Sequence, residues 1–370
     1  MLSEKQINRI KKIKSCLHLI NFGELEKWDQ IVKSFHNFDV YYLADYVKAF
    51  KIHKDGEPLL FYYEDKNIKA MNVVMKRDIA NDKRFIGKIA PNVFYDIMTP
   101  YGYGGFLIEG HITEESLKEL DNEYSSLCLK EGIISEFVRF HPVLKNSEDV
   151  KGIYDISILG KTITMQLSSR DLILSNLTSE KRKRIRKAKN SGIEIYWGRN
   201  TELIGEFIRI YNSTMDYTKA KDYYYFTKDF FNSILHDLKY HSSIFYAMDD
   251  KERIVAMAIF LYANGQINCF LSASDKELDE LALTNLIMYE VACWGSENGY
   301  KTLHMGGGVG GKEDGVYSFK KAFNKNSETN FLIGKKIFNE EKYRELVEIR
   351  GVEDDFDEET PFFPIYRSYT

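Results

Sequence analysis

Five glycines fall between Gly306 and Gly311, directly after a short apolar run that ends at Met305, and the segment Val316 to Phe323 beyond them has the spacing of a helix carrying Lys320 and Lys321. Glycine allows a ligand close to the backbone and permits positive φ, while the N–H groups opening a helix offer donors and partial positive charge to an anion. Gly306, Gly307 and Gly308 are therefore expected to line a ligand, with His304 just before them. The alternative for such a run is a plain connecting loop. No Gly-Lys-Ser/Thr ending follows, so the stretch is not a Walker-type phosphate loop.

Other residues with chemical capacity are scattered along the chain. Thr99-Pro-Tyr-Gly-Tyr-Gly-Gly105 interleaves Tyr101 and Tyr103 with glycine, which predicts a turn with aromatic walls. Val138-Arg-Phe-His-Pro142 places Arg139 and His141 at the end of a strand-like run. Lys181 to Lys189 holds seven basic residues in nine, and its two exceptions, Ile185 and Ala188, share one helical face. Such a helix docks by that seam and presents cations elsewhere, including Arg186, either as a solvated surface or as a phosphate-binding one. Asp216 to Phe226 contains four tyrosines, Tyr225 among them, which either pack in a core or line a pocket. Tyr101 and Tyr103 would give a sugar or base two aromatic faces, and Arg139 and Arg186 would give a phosphate or carboxylate two guanidiniums. Of the eight histidines, His141 and His304 stand in motif positions, where an imidazole can accept a proton near neutrality or make a structural hydrogen bond. No Ser-His-Asp or Cys-His constellation is evident.

The elements that must position these residues recur. Helices are expected over Glu4–Ile20, Glu24–Phe35 and Tyr41–Ile52, then a hairpin over Leu59–Glu64 and Ile68–Lys76 around a polar corner. An extended piece follows at Phe94–Met98. Thr113 caps a helix with the apolar stripe Leu117, Leu120, Tyr124 and Leu127, and strands follow at Ile133–Phe140 and Ile153–Met165. The second half repeats the order with a hairpin at Ile244–Asp249 and Ile254–Tyr262, a strand at Ile267–Ala273, a helix at Leu281–Glu297 and a strand at Lys301–Met305. A repeated order argues for tandem copies of one α+β unit. The expected division is 1–165, 166–350 and a tail at 351–370, in which an acidic run Glu353–Glu359 precedes Phe362-Phe-Pro-Ile-Tyr-Arg367, a segment suited to docking back.

A chain of 370 residues is too long for one ordinary core, in keeping with two units. Its net charge of −4 excludes a generally basic nucleic-acid coat but allows a local patch. The four cysteines are far apart without C-x-x-C spacing, so neither zinc nor a disulfide framework is indicated and a reducing cytoplasm fits. The N-terminus lacks the apolar core of a signal peptide, and no run is long enough to span a membrane.

Taken together, Thr99–Gly105, Val138–Pro142, Ile185-Arg-Lys-Ala188, His304-Met-Gly-Gly-Gly308, Ser318-Phe-Lys-Lys-Ala-Phe323 and Phe362–Arg367 resemble the Fem family of peptidoglycan-bridge aminoacyltransferases and the wider GNAT-like proteins grouped with them. The resemblance implies two tandem GNAT-like domains, each a mixed sheet flanked by helices, with a cleft between them. It implies transfer of an amino acid from aminoacyl-tRNA to an amine of a cell-wall or surface-glycan precursor, without metal, acyl-CoA or other cofactor, and contact with the inner face of the membrane at most. It also places Phe319 and Lys320 at the reaction centre, where a fixed cation would stabilise a tetrahedral oxyanion. The chain lacks the long helical insert of some staphylococcal members, so tRNA recognition through such an arm is not expected. Two rivals stand beside this expectation. One is an acyl-CoA-dependent GNAT enzyme of surface polysaccharide synthesis, disfavoured because Asp275–Thr284 is acidic and lacks glycine where such enzymes hold pyrophosphate. The other is a non-catalytic protein that binds a glycan or nucleotide-sugar.

Overall fold

The computed structural model describes residues 16–275, 282–352 and 356–368. Most of the helix expected at Glu4–Ile20 lies outside the described residues. Its last residues form a strand instead, β1 (Leu17–Asn21), because they pair antiparallel with β2 (Glu57–Glu64), where the sheet edge offers backbone partners and Leu17 and Ile20 find a core. The chain continues through helices α1 (Leu25–Ser34) and α2 (Ala44–Ile52) into β2 and β3 (Ile68–Asp78), then β4 (Tyr95–Met98) and β5 (Leu107–Gly110). Helix α3 (Glu114–Lys130) opens on a capping box of Thr113 with Ser116 and leads to β6 (Ile133–Arg139) and β7 (Asp155–Gln166).

The second half runs through α4 (Arg170–Asn176), α5 (Ser179–Asn190), β8 (Glu194–Gly198), α6 (Thr201–Thr218) and α7 (Lys228–Asn232). Strands β9 (Ser242–Met248), β10 (Ile254–Ala263) and β11 (Gln266–Ser274) follow, then α8 (Leu283–Glu297), β12 (Thr302–Gly307), α9 (Gly315–Lys321), β13 (Thr329–Ile337) and α10 (Glu340–Gly351). Among the described residues, thirteen strands form one sheet in the order β1-β2-β3-β4-β6-β13-β7-β12-β11-β10-β9-β8, with β5 paired to β3. The two halves share that sheet by exchange: β13 returns to lie between β6 and β7, while β7 pairs with β12 on its other side. Only β4 with β6 and β11 with β12 are parallel among the named pairs of described strands.

Helices cover both faces. One core draws on both halves, with Trp28, Tyr46 and Phe50 from the first packing with Phe207, Phe230 and Met257 from the second. The opposite face is covered by α3 in the first half and by α5 and α8 in the second. At the chain's end, Tyr366 is buried with its hydroxyl at Ser135, and Arg367 pairs with Asp96 and Asp82. Asp96 is wholly buried, yet Arg367 and Arg77 hold its carboxyl below the usual carboxylate value against the effect of burial.

A second buried carboxylate has no cation in contact among the described residues. Glu136 on β6 accepts from Asn72 Nδ2 at 2.8 Å, Tyr124 OH at 2.9 Å and Tyr154 OH at 2.8 Å, and burial still pushes its pKa up to about 7 from an ordinary 4.5. A carboxyl raised on folding contributes stability that is fully present below pH 4.5 and is lost as pH rises through about 7. Urea unfolding of Glu136→Gln beside the wild type should therefore show the wild type losing ground between those pH values, by up to about 3 kcal/mol. A difference independent of pH would refute the assignment.

Candidate functional site

Strands β11 and β12 run in parallel register for only three residue pairs, ending at Asn268 with His304. Just beyond, each strand bulges: β11 shifts register against β10 between the Leu271 and Cys269 pairings, and β12 shifts against β7 between His304 and Gly306. A bulge re-aims the chain and ends pairing, so the strands part and leave a wedge. Side chains from three directions enter it.

Helix α9 supplies Lys320, whose Nζ donates to Gly307 O at 2.6 Å. The loop after β4 supplies Tyr103, whose hydroxyl lies 3.0 Å from His304 Nε2, and β13 supplies Phe331, 5.4 Å from the Tyr103 ring. His304 is buried, with Nδ1 2.8 Å from Thr164 Oγ1; burial, then His141 and Lys320, hold its pKa well below the ordinary value, so it is neutral at pH 7. Burial also lowers Lys320, with Cys269 and Asp314 opposing, and raises the Tyr103 hydroxyl. The Cys269 thiol is pushed up to about 11 by burial and so stays protonated.

The glycines divide by role. Gly306 has φ 75°, and a Cβ there would stand 3.4 Å from Lys320 Nζ and 3.5 Å from Tyr103 OH, so its bareness keeps open the space those groups face. At Gly307 a Cβ would meet Lys161 O at 2.5 Å, and at Gly308 it would meet Lys312 O at 1.9 Å. Those two serve close packing of the loop. One of the expected anion donors at the start of α9 is already taken, because Asp314 caps that helix and accepts from Tyr317 N at 2.9 Å; it also accepts from Val309 N in the glycine loop at 3.0 Å.

His141 stands at a joint between the halves. Its Nδ1 receives the N–H groups of Val143 and Leu144, each at 3.2 Å, so Nε2 carries the proton and donates to Asp39 Oδ2 at 2.8 Å. Both ring nitrogens are occupied, which leaves none for a substrate proton. Asp39 also accepts from Asn268 Nδ2 at 2.9 Å. Phe319, next to Lys320 in sequence, turns to the other side of α9, where the ammonium of Lys181 sits 3.6 Å from its ring centroid.

The basic helix presents fewer cations than its sequence suggests. Lys181 is buried against Phe319 and Phe323 with Asn285 Oδ1 as acceptor, and burial lowers its pKa to about 7. Arg182 donates to the carbonyls of Leu174 and Leu177, Arg184 pairs with Glu180, and Lys189 with Glu290. Arg186 is exposed beside Lys183 and Lys187 on α5 and does not join the wedge. Tyr225 is likewise apart, its hydroxyl 2.7 Å from Asp216. The neighbouring Tyr223 comes in instead, with its ring 6.2 Å from Tyr101 and its hydroxyl 2.7 Å from Asp55. Tyr101 stacks on Phe50 at 5.7 Å, and Arg139, at the end of β6, is tied to the same loop: its N–H donates to Thr99 Oγ1 at 3.2 Å and Gly104 N donates to its carbonyl at 2.8 Å.

Asp39, Asn268, Lys181 and Tyr223 escaped the sequence reading. A lone Asp before Val-Tyr-Tyr carries no motif, and Lys181 is hidden in a charge run; Tyr223 was one of four tyrosines with nothing to choose among them.

Residues 175–321 match the acetyltransferase (GNAT) domain family. FemX superposes on this chain with a TM-score of 0.65 at 13% identity, covering 88% of this chain and 99% of that one. The fold is that of the Fem-type tandem GNAT proteins. Within it, L-PGS from Bacillus licheniformis is similar with a TM-score of 0.50 at 14% identity, over 80% of this chain and 89% of that one. A conserved protein of unknown function from Bacteroides thetaiotaomicron is similar at 0.55 and 13% identity, over 84% and 97%. None of the curated proteins matches the chain by sequence. The domain match supports acyl transfer of the GNAT type as the class of activity. No helix among the described residues is long and apolar enough to cross a membrane.

Proposed function

We propose that this protein is an N-acyltransferase that moves an amino acid from aminoacyl-tRNA to an amine of a peptidoglycan or surface-glycan precursor, with units near 1–165 and 166–350 meeting at the wedge. The observation that carries the proposal is the convergence of Lys320, Tyr103 and His304 around the bare Gly306, where β11 and β12 part. In this reaction the acceptor nitrogen attacks the ester carbonyl carbon; a C–N bond forms, the C–O bond to the ribose breaks, and the ribose oxygen leaves with a proton. Lys320 uses one of its three N–H donors on Gly307 and keeps two for the oxyanion. The proton released by the amine is relayed through the Tyr103 hydroxyl and His304 Nε2 to the leaving ribose oxygen; Nδ1 is engaged by Thr164 Oγ1, and burial disfavours the imidazolium, so the ring passes the proton on and does not store it. Phe319 is a positioning residue here, fixing α9 against Lys181.

Incubation with charged tRNA and a panel of amine acceptors, read by mass spectrometry, tests the proposal. Amide product supports it, and binding without turnover would favour the glycan-binding alternative. The acetyltransferase domain match favours a second donor, acyl-CoA. Calorimetry with acetyl-CoA separates the two, since micromolar binding would move the donor to coenzyme A.

Contacts to tRNA phosphates should fall on the unpaired cations of α5. Replacing Lys183, Arg186 and Lys187 with Gln is expected to weaken tRNA binding and flatten its salt dependence by up to about three slope units, with the melting temperature little changed. Arg182→Gln should instead lower the melting temperature, because that guanidinium caps the carbonyls of Leu174 and Leu177. An unaltered salt slope in the triple variant would return α5 to an ordinary solvated face.

A further inference from the structure

Beside the wedge lies a second group of polar residues whose chemistry is unfinished. Arg139 ends β6 with its guanidinium 5.2 Å from the centre of the Phe137 ring, and its Nη1 is buried without a hydrogen-bond partner. The other arginines of the neighbourhood are neutralised: Arg77 Nε meets Asp96 Oδ1 at 2.7 Å, and Arg367 is bound by Asp96 and Asp82. Asp55 Oδ2 accepts from the Tyr223 hydroxyl at 2.7 Å. Among the described residues, Arg139 has no carboxylate within ion-pair distance. A buried N–H that has lost water and gained no acceptor is costly to leave unmade, more so when charged.

We infer that Arg139 binds an oxyanion of the acceptor, a phosphate or a carboxylate. A guanidinium presents a fork of donors matched to either group. Tyr101, on the loop bonded to Arg139 through Thr99 and Gly104, and Tyr223, whose ring is 6.2 Å from that of Tyr101, would take the flat or carbohydrate part next to that anion. Position ties the site to the wedge, because Tyr101 and Tyr103 are two residues apart, at most about 7 Å of backbone. Gly104 N donates to Arg139 O at 2.8 Å, so an acceptor held by its anion at Arg139 sits beside the loop that carries Tyr103 into the wedge. The inference rests on the reading of the wedge as an acyl-transfer site, but its test does not need turnover.

The probes are inorganic phosphate and acetate, titrated separately into the full chain and read by calorimetry and by the shift in melting temperature. The expected result is millimolar binding of one of them, weakened at least tenfold in Arg139→Gln and unchanged in Arg253→Gln, an exposed arginine paired with Asp249. If the Gln variant fails to fold, Arg139→Lys keeps the charge but loses the fork, and should weaken binding several-fold. Preference for phosphate or for acetate identifies the anion. No binding of either anion to the wild type, or equal binding in wild type and both Arg139 variants, would overturn the inference. Intact anion binding in a protein that transfers no acyl group would instead remove the acyl-transfer reading and leave the anion site standing.

Discussion

Lys320→Met is expected to lower kcat by about 10²- to 10³-fold, the usual effect of losing one oxyanion donor. Methionine preserves the length and apolar stem of the side chain and deletes only the ammonium, so α9 should keep its place over β12. KM should change little, because the contact strengthens when the carbonyl oxygen gains charge in the transition state. The pH profile supplies an independent check. Since burial lowers the Lys320 pKa from 10.5, the rate should fall with rising pH below that value as the ammonium loses its proton, and that limb should vanish in the variant. Lys321→Met should be almost silent, since Lys321 lies against Glu328 at 3.2 Å, away from Gly307. Steady-state rates at saturating donor decide the matter, and equal kcat in wild type and Lys320→Met would leave positioning as the main source of catalysis.

The largest loss of stability is expected from Asp39→Ala. This wholly buried carboxylate takes the Nε2 proton of His141, the amide of Asn268 and the N–H of Val40, the last at 2.6 Å. Truncation leaves the two side-chain donors buried with no acceptor, at a cost of about 3 to 5 kcal/mol. Asp39→Asn should recover little of this, because an amide offers one acceptor oxygen where two had served and turns a donor toward His141 or Asn268. Urea unfolding measures it, and a change below about 1 kcal/mol would show that Asp39 is not the joint between the halves. Activity should fall along with stability, since Asn268 is the last paired residue before the wedge opens.

Much of this architecture was legible locally. Both hairpins, the Thr113 cap with its stripe and the helix before β12 follow from periodicity and turn chemistry, which act over a few residues. What escaped was long-range. Leu17–Asn21 continues a helical pattern and becomes a strand only because the edge of β2 is there to receive it. Thr329–Ile337 carries no strong alternation, and nothing in it says that it belongs between β6 and β7. The site shows the same division. Lys320, Tyr103, His304 and Gly306 stood in recognisable motifs, and the structure gathers them, whereas Phe319 and Arg186 stood in motifs and face elsewhere. A motif marks which residues are unusual; the direction each side chain takes depends on strand partners that no local pattern records.

The placement of β13 has a consequence for how the protein is made. The strand enters the chain about 190 residues after β6 ends, so a nascent first half must wait with the flank of β6 unpaired until nearly the whole second half has left the ribosome. At ordinary elongation rates that interval is on the order of 10 to 40 seconds. Throughout it, an unpaired strand edge is open to other chains. An isolated 1–165 fragment would keep that exposure permanently, so the halves of this protein should be obtainable together or, as a first-half fragment alone, mainly as aggregate.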